Sequence, residues 1–145
     1  MTFQLIRSLF ESDLFKTLSF AGIDPGNIFW DNVGETPPTS GPYATVNFSF
    51  GPTVTDTVSC EGVEDLRGQL SVNVYTPKNQ GSKPGEDICL EVAKGWQKLN
   101  SERPASGDPL RSMCVRNVEG PVTIAPDDRP HHVNNISCSW MARAA

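Results

Sequence analysis

Between residues 85 and 100, Ile88, Val92, Trp96 and Leu99 fall on one face of a helix, with Cys89 and Ala93 at its edge. Glu91, Lys94, Gln97 and Lys98 fill the opposite face, and Leu90 is the single apolar misfit. Glu86 and Asp87 lie in the first turn and the lysines towards the end, which suits the helix dipole. Such a helix can bury one stripe only, so it needs a partner layer on one side. Residues 3–19 pose the same demand through Phe3, Ile6, Phe10, Leu14 and Thr17, flanked by Leu9 and Leu18. Arg7 and Glu11 are four apart on the outer side and can pair. Leu5 and Phe15 break the pattern by projecting onto the face of Gln4, Ser8 and Ser12. That face is either buried as well or meets another subunit.

The partner layer is written in period two. Tyr43–Phe50 alternates Ala44, Val46, Phe48 and Phe50 against Thr45, Asn47 and Ser49. Gly68–Tyr75 alternates Leu70, Val72 and Val74 against Ser71, Asn73 and Tyr75. Further strands are predicted over 27–33, 111–118, 122–124 and 132–141, with turns at Gly22 to Gly26, Gly41-Pro42, Gly120-Pro121 and Asp127 to Pro130. Residues 51–67 have no clear period and read as an acidic loop with Asp56, Glu61, Glu64 and Asp65. The expected fold is a single α+β domain over 1–145, with two helices packed on one mostly antiparallel or mixed β-sheet. Its predicted order is α-β-β-β-α-β-β-β.

A chain of 145 residues fits one domain, and 12 Gly with 12 Pro count against a helical bundle. The formal net charge of −5 argues against a nucleic-acid binder that relies on a basic face. No segment approaches the ~20 apolar residues of a membrane span. Arg7, Glu11 and Asp13 interrupt any signal-peptide core, so the chain is expected to be cytosolic when made. Cys60, Cys89, Cys114 and Cys138 contain no C-x-x-C pair and are expected as reduced, mostly buried thiols.

Motifs for chemistry are sparse. There is no G-x-S-x-G elbow. Gly81-Ser82-Lys83-Pro84-Gly85 precedes a helix but lacks the order of a phosphate loop, and reads as a linker with Ser82 as N-cap. Asp127, Asp128, His131 and His132 form the one metal-like group, but adjacent histidines on a strand point to opposite faces. Asn47-Phe48-Ser49 and Asn135-Ile136-Ser137 match the glycosylation pattern, which recurs by chance. No catalytic residue, cofactor or metal ligand is assigned.

An N-terminal helix leads to Ile28-Phe29-Trp30-Asp31-Asn32, then Pro37-Pro38, then Gly41-Pro42-Tyr43 entering a strand. Arg67 to Pro77 follows as a Gly-led strand ending in Tyr75-Thr76-Pro77, and His132 to Arg143 forms a closing strand. This succession of motifs resembles the tail terminator proteins of long, flexible-tailed bacteriophages over nearly the whole chain. The resemblance implies a non-enzymatic virion protein that forms a ring, usually a homohexamer, at the head-proximal end of the tail tube. Such a ring, built in the host cytoplasm, ends tube polymerisation. Its implied partners are its own copies, the tail tube protein and a head-side connector, with DNA passing through the lumen unbound. Leu5, Phe15, Pro37 and Pro38 are then candidate subunit contacts, and Asp56, Glu61, Glu64 and Asp65 a candidate lumen-facing group that repels phosphate. Another neck protein (a stopper or adaptor) is the nearest alternative. A small cytosolic enzyme with a dispersed site and a soluble binding module are the more distant ones.

Overall fold

The structure, a computed structural model, describes residues 2–30, 41–51, 54–55, 64–77, 81, 83–101, 110–124 and 131–144. Helix α1 (Thr2–Phe20) is followed by a 3-10 turn, strands β1 (Ile28–Phe29), β2 (Tyr43–Phe50), β3 (Val54–Thr55) and β4 (Glu64–Pro77). Helix α2 (Lys83–Ser101) and strands β5 (Leu110–Ile124) and β6 (His131–Ala144) complete the chain. The strands form one sheet in the order β1-β2-β4-β6-β5, with β3 also paired to β4. Among the described residues, only β1 with β2 is parallel and every other pair is antiparallel. This is the expected two-layer α+β fold.

Helix α1 stops where its last turn finds partners. Gly22, at φ 105°, takes a conformation that costs a residue with a Cβ, while Gly22 N–H reaches Ser19 O and Ile23 N–H reaches Leu18 O. The chain then turns, and Ile23 drops into the core. Ile6, Phe10, Leu14 and Leu18 from α1 meet Ile88, Cys89, Val92, Trp96 and Leu99 from α2 over one face of the sheet. That face presents Ala44, Val46 and Phe48, then Leu66, Leu70, Val72 and Val74, then Ile136, Cys138, Trp140 and Ala142. Fully burying one such aliphatic side chain contributes roughly 1.5–3 kcal/mol. At the centre, the Trp140 ring stacks on Phe48 at 5.3 Å and tilts against Phe10 at 5.9 Å.

Helix side chains hold β2, next to one edge of the sheet, and β5, the other edge. The Arg7 guanidinium donates to the Phe48 carbonyl on β2 at 3.5 Å and lies over the Phe48 ring. The Asn100 amide brackets Val115 on β5, accepting from its N–H at 2.5 Å and donating to its carbonyl at 3.1 Å. Occupying edge groups in this way blunts strand addition by another chain.

The strand order differs from the expected one, being α-β-β-β-β-α-β-β. Strand β4 starts at Glu64 rather than Gly68, because β6 pairs with it residue for residue from Glu64↔Ala144 to Pro77↔His131. Ladder bonds hold that end although its side chains do not alternate cleanly. The two strands predicted either side of Gly120-Pro121 are one strand, β5. Register shifts between Arg116 and Glu119 and between Glu119 and Val122 absorb the break. Gly120 sits at φ 110°, where a Cβ would crowd the Asn135 carbonyl.

Candidate assembly surfaces

Burial of one sheet face leaves the other open. Registers align Thr45, Asn73 and Asn135 in one row, Asn47, Ser71 and Ser137 in the next, and Ser49, Gln69 and Ser139 in a third. None of these nine side chains carries a charge. They are tied laterally, with Asn135 Nδ2 donating to Ser71 Oγ at 2.8 Å and to Asn73 Oδ1 at 2.7 Å. Both glycosylation-like asparagines, Asn47 and Asn135, therefore lie on this one face.

An aromatic group closes one end of the open face. Tyr43 and Tyr75 stack at 4.2 Å, and Phe29 and Val133 complete the cluster. His131 meets Tyr43 edge-on, and its Nε2 lies 2.9 Å from the Gly41 carbonyl. His132 projects to the other face, as the alternation predicts, so the two histidines cannot share an ion. Asp127 and Asp128 lie outside the described residues, as does Ser82. Among the described residues no group of three His, Cys, Asp or Glu side chains could hold a metal.

At the other end lies an open concavity of about 500 Å³. Arg67, Gln69, Arg116, Asn117 and Ser139 contribute its polar lining, beside Trp140 and Met141. The helix layer carries a second groove, about 380 Å³, lined by Asp13, Lys16, Thr17 and Phe20 of α1 and Glu91, Lys94, Gly95 and Lys98 of α2.

The candidate contact residues fall in different settings. Leu5 is half-buried and packs against the core, while Phe15 is 45% exposed. Phe20, unmarked by the sequence pattern, is 91% exposed at the end of α1. Pro37, Pro38, Asp56 and Glu61 lie outside the described residues. Glu64 and Asp65 open β4, paired on one side with Thr55 and Val54 and on the other with Ala144 and Arg143.

Two of the thiols, Cys89 and Cys138, are buried and stay protonated at neutral pH. Burial pushes Cys89 up to about 12, with Glu86 adding to it, and burial alone pushes Cys138 to about 12. Cys114 is half-buried and its Sγ lies 3.8 Å from the Val115 carbonyl. No helix is long and apolar enough to cross a membrane among the described residues.

The family model for phage tail terminator protein matches residues 5–140. A solved structure with 22% sequence identity superposes with a TM-score of 0.61, covering 98% of this chain and 96% of its own. At that identity the likeness establishes the fold. No curated protein matches the chain.

Proposed function

The chain belongs to the phage tail terminator family, a structural and non-enzymatic family of tail components, and from that premise we propose that it forms a homomeric ring, usually six-fold in such proteins, on the head-proximal end of the tail tube. There it ends tube polymerisation and presents its other side to the head connector. The match across residues 5–140 carries this reading. The surfaces are compatible with it. A closed head-to-tail ring needs two different patches per subunit. Phe20, which lines the α1–α2 groove, and exposed Phe15 supply one candidate, and the sequence offers the Pro37-Pro38 segment as another. The nine uncharged side chains in the middle of the open sheet face suit a lumen that lets DNA slide without holding phosphate, and Asp56, Glu61, Glu64 and Asp65 are the proposed phosphate-repelling group of that lumen. The ring is assembled in the host cytoplasm and retained in the virion.

Phage lacking the protein tests the role. Overlong, headless tails are the expected outcome; tails of normal length on unjoined particles point instead to another neck component. Normal joined particles refute both. Asp56→Asn, Glu61→Gln, Glu64→Gln and Asp65→Asn together should leave ring assembly intact and slow DNA delivery. Unchanged infectivity refutes the lumen assignment.

A further inference from the structure

We infer that the concavity between Arg67 and Arg116 receives carboxylate side chains of a second copy of this chain, forming one half of the head-to-tail contact; this rests on the ring reading above. Arg67 on β4 and Arg116 on β5 flank β6, in register with Met141 and Ser139. Met141 and Ser139 are two apart on one strand, so both arginines belong to the same face, in adjacent rows. Two strand spacings separate them, roughly 10 Å of backbone, which two long side chains can close. Both are exposed, and among the described residues neither guanidinium makes an ion pair or a hydrogen bond. The sequence around them is acid-rich, with 17 acidic and 12 basic residues.

The backbone beside Arg116 is irregular. A register shift follows Arg116, and Asn117 adopts φ 52°. Left-handed non-glycine residues and bulges are recurrent devices for aiming side chains at binding sites. Gln69, Asn117 and Ser139 add uncharged hydrogen-bonding groups around the two guanidinium forks.

A carboxylate suits the site better than a nucleic acid. Tracking a phosphate backbone needs a run of cations, whereas the nine side chains of the adjoining rows are uncharged. A net charge of −5 also repels a polyanion at long range. Two planar guanidinium groups match discrete carboxylates, each held in bidentate fashion. A second copy brings an acid-rich surface at equal concentration, and a head-to-tail contact joins unlike patches.

The oligomer of the full chain, followed by native mass spectrometry and sedimentation, gives the test. R67E/R116E should weaken subunit association at least about 30-fold, with circular dichroism unchanged. R67K/R116K keeps the charge but loses the fork, so it should fall between wild type and R67E/R116E. Carbodiimide should join the R67K or R116K side chain to an Asp or Glu of another copy. The control K83E, at an exposed position outside both the concavity and the α1–α2 groove, should assemble as wild type does. A full ring from R67E/R116E, equal loss in the control, or no such cross-link in an intact ring overturns the inference. So does an oligonucleotide that wild type binds and R67E/R116E does not, the ring being intact in both. A wild type that stays monomeric at every concentration removes the ring reading, and the inference with it.

Discussion

Gly68 stands in register between Phe50 on β2 and Trp140 on β6. Its missing side chain is what lets the Trp140 indole lie across β4. A Cβ there would collide with the Trp140 ring and with the Ser49 carbonyl. The first neighbour is wedged, stacked on Phe48 at 5.3 Å and edge-on to Phe50 at 5.4 Å. The second is backbone of the paired strand and cannot rotate away. Overpacking of this kind costs about 1–3 kcal/mol. The reduced freedom of the unfolded Gly68→Ala chain returns about 0.4–1 kcal/mol only where the new side chain fits, which it does not here. The expected net loss is therefore ~1–3 kcal/mol. At about 2–4 °C per kcal/mol for a domain of this size, the melting temperature should drop by roughly 2–12 °C. Urea unfolding followed by tryptophan fluorescence measures the first quantity, and near-ultraviolet circular dichroism reports whether Trp140 has lost its packing. A variant as stable as wild type, with an unchanged aromatic spectrum, would refute the account of Gly68 as room for the indole.

Asn100→Ala should cost about 1–3 kcal/mol, because it leaves the Val115 N–H and carbonyl without their bracket. It should also raise self-association through the uncovered β5 edge; light scattering and denaturant midpoints check both, and a monodisperse variant of wild-type stability counts against the edge assignment. In a Cys60→Ser protein, Cys114 should react with a thiol reagent at neutral pH, whereas Cys89 and Cys138 react only as the protein unfolds. The same two thiols set an alkaline limit. Their folded values lie near 12 against an ordinary 9.0, so their contribution is complete below pH 9 and is lost as pH rises towards 12. Each can remove up to about 1.4 kcal/mol per pH unit in that window. Cys89→Ala/Cys138→Ala should flatten the decline in denaturant midpoint above pH 9, and an unchanged slope rules the thiols out as its cause.

Sequence periodicity alone determined the two helices, the β2 strand and the centre of β4. Each buries one face, so its apolar spacing is visible within a dozen residues. Ile6, Phe10 and Leu14, and Val92 and Trp96, are buried as their stripes require. The sequence also carried the family, through the order of its motifs from Ile28 to Trp140. Tertiary structure decided the rest, because those features depend on pairing and not on spacing. The first residues of β4 are held by the ladder to β6, which no local pattern records. Strand β5 runs through Gly120-Pro121 because bulges restore its register with β6. Leu5, out of phase in the helix pattern, packs against the core, while Phe20 at the helix end stands exposed. Arg67 and Arg116 are 49 positions apart in the chain. Only the register of three strands brings them to one concavity on the sheet face that the helices leave uncovered.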